Sequence, residues 1–179
     1  MQVISAGWPA AEPLREQRCD MILTPRPPEA TDILQKRIMV DRYACFFDAS
    51  HRSAPATPAE FAESQHIVIV FEGTRKLDFD LYLESQGIDR NVSLVLPNFA
   101  AVPPFLRGTD LIACMPGLLR AEIMREFGVA PLPFEVPDLP MFMAWHKRHQ
   151  EDPMHRWLRN ELEASTKEFL ARTRGDSDV

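Results

Sequence analysis

Apolar residues in this chain gather in short continuous runs, and between the runs they recur at helical spacing. The stretch 96–116, LPNFAAVPPFLRGTDLIACMP, sets the pattern. Asn98 has the chemistry of a helix N-cap, its side-chain oxygen accepting a backbone N–H of the first turn. Phe99, Val102, Phe105 and Leu106 fall on one helical face. Gly108 ends that helix, in the left-handed conformation that a residue without a side chain adopts most cheaply. Residues 111–115 (LIACM) are then a continuous apolar run of strand length, as expected of a strand covered on both faces. Strand, helix and strand in this order make a βαβ unit, and in open α/β sheets the crevice at the strands' carboxyl ends is where ligands bind.

The remaining segments continue the alternation. Residues 1–5 (MQVIS) predict a strand, 7–9 a turn, and 10–17 a short helix that buries Leu14. A strand over 19–23 (CDMIL) follows and stops at the proline-rich 24–28, which suggests a first βαβ unit. Residues 33–47 hold one or two strands. Thr57 and Glu60 have capping-box spacing, so a helix starts there and ends near Gln65. Residues 66–71 (HIVIVF) predict a buried strand and 92–96 another. The helix between them, 77–86, is carried by Leu77, Leu81 and Tyr82 and ended by Gly87. Leu118, Leu119, Ile123, Met124 and Phe127 predict an amphipathic helix over 116–127, stopped by Gly128. Residues 139–145 are a last strand. Asp152 and Pro153 cap and open a final helix, with Met154, Trp157, Leu158, Leu162 and Phe169 as its buried stripe. The polar residues 173–179 predict a disordered tail.

Composition narrows the function classes. The chain has 179 residues, 45% of them hydrophobic, enough for a substantial core. Net charge is −6 and the basic residues are scattered, which argues against a nucleic-acid surface in the chain itself. Cys19, Cys45 and Cys114 lie in apolar segments without metal-ligand spacing, as in a reducing compartment. No signal-peptide pattern opens the sequence and no apolar run has membrane-spanning length. A cytoplasmic protein is the expectation.

Several residue combinations resemble the effector-binding domain of LysR-type transcriptional regulators, within the subgroup of nodulation and aromatic-catabolism regulators. They are Arg42-Tyr43, the PNFAAVP turn at 97–103, and TDLIA at 109–113. Trp145-His146 and the run DPMHRWLR at 152–159 complete the set. The likeness spans roughly residues 19–162. It implies an α/β fold of two periplasmic-binding-protein-like (type 2) lobes, with a small effector in the cleft and the chain crossing between lobes near 36–48 and 133–146. Residues 1–45 and 140–172 would form the first lobe, truncated at its N-terminal side, and 46–139 the second. The family's winged helix-turn-helix, linker helix, and first strand and helix of the effector domain have no counterpart in these residues. DNA contact would therefore need that missing part, and the effector domain itself is expected to pair as a homodimer.

The candidate ligand site consists of strand ends and loops expected to face the cleft. From the second lobe come Phe71, Gly73, Thr74 and Arg75, together with Asn98 and Phe99. Thr24 and Pro25 come from the first. Backbone N–H groups at a helix start, with Arg75 nearby, suit a carboxylate, and Phe71 and Phe99 suit an aromatic ring between them. Each has a purely structural alternative: Asn98 as a cap, the two phenylalanines as core, Arg75 as a solvated cation. Trp145 and Trp157 read as core anchors. Enzymatic chemistry finds no support. There is no G-x-S-x-G elbow and no glycine-rich phosphate loop. Asp78 and Asp80 are two apart in a helix, and His146 and His149 leave a strand end pointing to different faces. No cofactor or metal is expected. Two other classes stay open: a solute-binding protein of a transport system, and a structural fragment without a ligand.

Overall fold

The computed structural model describes residue 3, residues 10–71 and residues 75–175. Its contacts divide the chain into two units, Met1–Asp41 with Leu139–Val179, and Arg42–Asp138. The predicted strand over 1–5 and turn over 7–9 lie outside the described residues, apart from Val3.

In the first unit, helix α1 (Glu12–Arg15) buries Leu14, followed by β1 (Ile22–Thr24) and β2 (Ile33–Asp41). The chain then enters the second unit without a loop. One residue after β2, strand β3 (Tyr43–Phe47) begins a different sheet. Helix α2 (Pro58–Glu63) starts at Thr57, whose hydroxyl accepts the Glu60 N–H. The Glu60 carboxylate reaches back to Ala56 N–H instead of Thr57, so only half of the predicted capping box forms. The helix ends two residues early because Ser64 is already extended and leads directly into β4 (Gln65–Phe71).

A two-residue strand β5 (Arg75–Lys76), helix α3 (Asp78–Ser85) and strand β6 (Asn91–Leu96) follow. Gly87 ends α3 at a φ of 68°. The phase of α3 differs from the prediction: it buries Phe79 and Leu83, while Leu81 is exposed. The cause is Asp80, which is buried in the first turn by an ion pair of 2.6 Å with Arg90 and turns the apolar stripe with it.

After β6 come a 3-10 turn (Phe99–Ala101) and helix α4 (Val102–Leu106). Val102 and Leu106 are fully buried, but Phe105 stays 47% exposed, so the predicted four-residue face is narrower. Gly108, at φ 75°, carries the chain into β7 (Ile112–Pro116). The predicted helix over 116–127 does not form. Gly117–Ala121 is a 3-10 turn, and beyond it the bonds Glu122 N–H to Leu119, Arg125 N–H to Glu122 and Phe127 N–H to Met124 reach back three residues and Met124 N–H to Leu119 five, so successive turns replace a helix. These turns still bury Met124, which explains the misleading periodicity. Strand β8 (Gly128–Ala130) then lies close over β3; a Cβ at Gly128 would sit 2.6 Å from the Phe47 ring.

The second unit's sheet runs β5-β4-β7-β3-β8, with β6 also paired to β4. β4, β6 and β7 are parallel, and β3 is antiparallel to both neighbours. Successive side chains alternate between two cores, as a strand's period of two requires. Phe46, Ile67, Ile69, Ala113 and Met115 pack with α4 on one face. Cys45, Phe47, Ile112 and Cys114 pack with Phe61, Phe79 and Leu83 on the other.

The chain returns to the first unit through β9 (Leu139–His146), which lies between β1 and β2 and is antiparallel to both. The predicted first βαβ unit pairs the strand over 19–23 with the strand over 1–5, which lies outside the described residues. Helix α5 (Pro153–Gly175) follows and runs into the predicted tail, taking in residues 173–175. Asp152 caps it by accepting the His155 N–H at 2.8 Å. The predicted stripe holds in part: Leu158, Leu162 and Phe169 are half-buried, but its first two members are not. Met154 is 74% and Trp157 58% exposed, whereas His155, Arg159 and Thr173 are buried. Arg159 donates to Nδ1 of His155 at 2.8 Å and to the carbonyls of His149 and Gln150. His155 Nε2 donates in turn to Asp20 O at 2.8 Å, the tautomer following from Arg159 being a donor only. The guanidinium stacks 4.7 Å from the centre of the Trp145 ring, so Trp145 is the core anchor and Trp157 is not.

Candidate functional site

The two edges of the second unit's parallel strands are built differently. At the amino edge, every strand start is stitched to a neighbour. Asp48, just past β3, accepts the Gly108 N–H at 2.7 Å and the N–H and hydroxyl of Ser50. These bonds, the Gly108 amide first, hold its carboxyl down at about 2. Arg52 donates to Asp110 O at 2.9 Å and to the Ser64 hydroxyl at 3.0 Å. His66 is wholly buried, its Nε2 bonded to Phe61 O at 2.7 Å while Nδ1 has no partner. Burial pushes that imidazole down to about 4.

The carboxyl edge carries aromatic and amide groups instead. β4 and β6 pair in parallel from Gln65 opposite Asn91 to Ile69 opposite Leu96, so Phe71 and the turn after Leu96 come out on the same side. There the Phe71 and Phe99 rings meet edge to face at 5.9 Å. Both rest on the core below and remain half exposed. Because the rings touch, an incoming aromatic ring meets them as one wall and does not enter between them. Asn98 is exposed, and its Oδ1 accepts the Ala101 N–H at 3.0 Å. It is therefore a cap, which still leaves its amide at the edge.

Arg75 pairs through its backbone with Phe71 in the short β4–β5 hairpin, which returns the chain to the same edge. Gly73 and Thr74 lie outside the described residues. The start of α3 beyond the hairpin already carries a carboxylate of its own, Asp80, which accepts the Leu77 N–H at 3.1 Å, while Lys76 pairs with Glu84 in the helix's last turn. The positive end of that helix is thereby spent locally. Thr24 and Pro25 belong to the first unit. Thr24 ends β1 buried, and its hydroxyl is taken up by Arg26, accepting the N–H at 3.1 Å. Pro25 is exposed.

The structure thus brings Phe71, Asn98, Phe99 and the Arg75 backbone to one edge. The sequence reading missed the buried pair Asp80–Arg90 and the His155–Arg159 network. A polar residue repeated at i and i+4 inside DPMHRWLR was the available signal for the second. Among the described residues, no three His, Cys, Asp or Glu side chains are grouped to hold a metal ion, and no helix is long and apolar enough to cross a membrane.

Comparison with known proteins agrees with this architecture. Residues 2–167 match the family described as the LysR substrate binding domain. The chain is 34% identical over 152 residues to the HTH-type transcriptional activator NagR of Ralstonia sp, covering 83% of this chain and 50% of that protein. Among solved structures, the regulatory domain of the transcriptional activator MexT from Pseudomonas aeruginosa superposes with a TM-score of 0.69 at 23% identity, over 86% of this chain and 76% of that one. The effector binding domain of QuiR in complex with shikimate does so with a TM-score of 0.64 at 14% identity, over 90% and 75%. The chain spans about half the length of the curated relatives it matches.

Proposed function

The chain belongs to the LysR substrate-binding domain family, and from that premise we propose that it is the effector-sensing and dimerising domain of a bacterial transcriptional regulator, taking a small aromatic or acidic molecule. The observation that carries the ligand site is the contrast between the two strand edges. Hydrogen bonds close the amino edge, whereas the carboxyl edge presents the half-exposed Phe71–Phe99 pair and the exposed Asn98 amide. We assign the site to Phe71, Gly73, Thr74, Arg75, Asn98 and Phe99 in one lobe, and to Thr24 and Pro25 in the other. The division at Asp41/Arg42 and Asp138/Leu139 sets these two groups of residues in separate units. The aromatic wall supplies apolar contact, and Arg75 supplies the cation for a carboxylate. QuiR, with its bound shikimate, is a related fold that holds a ring bearing a carboxylate. The relatives are regulators, which favours this reading over a transport protein. The function is binding without chemistry, in the cytoplasm, with DNA contacted only through a separate DNA-binding part.

The test is a thermal-shift and calorimetric panel of aromatic carboxylates, their neutral amides and non-aromatic dicarboxylates. A true effector at a hundredfold excess over Kd stabilises the domain by about 2.7 kcal/mol. Phe99→Ala and Arg75→Ala should each weaken it at least tenfold. Unchanged affinity in both variants places the site elsewhere.

A further inference from the structure

Cys45 and Cys114 face one another across the middle of the second unit's sheet. The β3–β7 register sets Tyr43 opposite Pro116, Ala44 opposite Met115 and Cys45 opposite Cys114. The Gly117 N–H donates to Arg42 O at 2.7 Å, which makes the next pair outward a hydrogen-bonded one. In an antiparallel ladder, hydrogen-bonded and non-hydrogen-bonded pairs alternate. Tyr43–Pro116 is therefore non-bonded, in keeping with a proline that has no N–H, and so is Cys45–Cys114. Residues at such positions have Cα atoms about 4.5 Å apart, inside the span of about 4.4–6.8 Å that a disulfide bridges. Both side chains project to the same face and belong to the same buried cluster. Both thiols are free.

We propose that Cys45 and Cys114 are a reversible oxidation site, a cross-strand dithiol that closes to a disulfide under sustained exposure to a peroxide. One thiolate attacks a peroxide oxygen and the O–O bond breaks, giving a sulfenic acid; the departing hydroxide takes up the proton that the thiol released and leaves as water. The second sulfur then attacks the sulfenic sulfur. The S–O bond breaks, and hydroxide departs as water with the second thiol's proton. One S–S bond forms, the two sulfurs lose two electrons, and one peroxide becomes two waters; a dithiol reductant reverses the change.

The surroundings make this site slow. Cys45 is fully buried and Cys114 is 6% exposed. Burial and the hydrogen bond with Cys45 hold the Cys114 thiol well above its ordinary range, so thiolate is scarce. The sulfurs lie in the cluster with Phe61, Phe79 and Leu83, and the strand next to Cys45 is the three-residue β8, whose Ala130 lies opposite it. A small neutral oxidant passes such a cover when the strand frays, and a bulky disulfide does not.

The experiment treats the folded full chain with hydrogen peroxide and a metal chelator, then reads intact mass, an unreduced tryptic map and Tm. The wild type and Cys19→Ser should lose the mass of two hydrogens and yield peptides 43–52 and 108–120 as one species. Tm should rise by roughly 5–10 °C, because the bond constrains a long loop of the unfolded chain. Dithiothreitol should restore the starting mass and Tm. Cys45→Ser and Cys114→Ser should show no such link. The linkage map of the wild type decides the matter even if those variants fold poorly. Oxygen added at Cys114 without a link, a link through Cys19, a linked form that melts lower, or intact 45 and 114 thiols after Cys19 has been oxidised would each overturn the proposal.

Discussion

The two units solve the same problem, burying one element against a sheet, with opposite materials. The second packs apolar side chains on both faces of its sheet, with Phe46, Met115 and Leu106 on one and Phe61, Phe47 and Leu83 on the other. The first fastens its longest helix by polar groups: Asp152 as cap, His155 bonded to Asp20, and Arg159 stacked on Trp145. An apolar face tolerates some sliding, because contact with it is non-directional. A guanidinium with three specified acceptors holds one position only. Within the run DPMHRWLR, Asp152, His155 and Arg159 supply this fastening.

The largest effect that this contrast predicts is in the second unit. Phe46 is fully buried, and Phe46→Ala should cost about 3–5 kcal/mol through lost transfer energy and a cavity. Hydrogen exchange should show protection falling in β3, β4 and β7 more than in β1, β2 and β9. Equal loss in both units would mean that they unfold as one and that the contrast has no energetic meaning.

His66 is one of the buried polar groups that break the second unit's apolar rule, and it makes stability depend on pH. Burial lowers the His66 imidazole from 6.5 to about 4. The unfolded chain therefore binds a proton through that window while the folded one does not. Stability is fully present above pH 6.5, falls as pH drops towards 4, and levels off below. The difference amounts to about 3 kcal/mol over that range. Urea midpoints at several pH values should follow that slope, and His66→Phe should flatten it; an unchanged slope in the variant would assign the dependence to other groups.

In the first unit, Arg159→Met keeps the packing over Trp145 and deletes the hydrogen bonds. It should cost about 2–3 kcal/mol, since it leaves His155 Nδ1 and two carbonyls without their donor. A double-mutant cycle with His155→Phe should be non-additive by about 1 kcal/mol or more. Additive losses would show that the network is only a set of independent contacts. The tryptophan fluorescence of Trp145 reports the unit's own unfolding.

These differences also explain which elements could be read from the chain. Strands over 66–71, 92–96 and 111–115 were legible because continuous apolar runs leave little choice of partner surface. Asn98, Gly87 and Gly108 were legible because cap and left-handed chemistry is local. The first turns of α5 were not, since their buried positions are His155 and Arg159, although Leu158, Leu162 and Phe169 further along are half-buried as the pattern implies. α3 failed in the same manner through Asp80. The segment 117–127 keeps a helical rhythm of apolar residues but folds as a 3-10 turn followed by irregular turns. At the site, the strand ends and the Asn98 turn could be placed from their sequence. That the two phenylalanine rings touch, and that Arg26 takes the Thr24 hydroxyl, depended on contacts no pattern records.

The smallest effect on folding belongs to Trp157, which the apolar pattern would rank among the largest. A tryptophan in the core costs about 3–5 kcal/mol when truncated. Here Trp157 is 58% exposed next to Met154, on the side of α5 away from His155 and Arg159. Trp157→Ser should shift the urea midpoint by no more than about 0.5 kcal/mol of stability. An exposed Trp–Met pair at the start of a helix is nevertheless costly to leave in water, and it is suited to a contact between copies of the chain. Sedimentation at several concentrations should then show weaker self-association in Trp157→Ser than in the wild type, with folding unchanged. A large loss of stability would return Trp157 to the core and undo the assignment of α5's polar face. Unchanged association would move any dimer contact to the second unit, where Val92 and Val95 are exposed on strand β6.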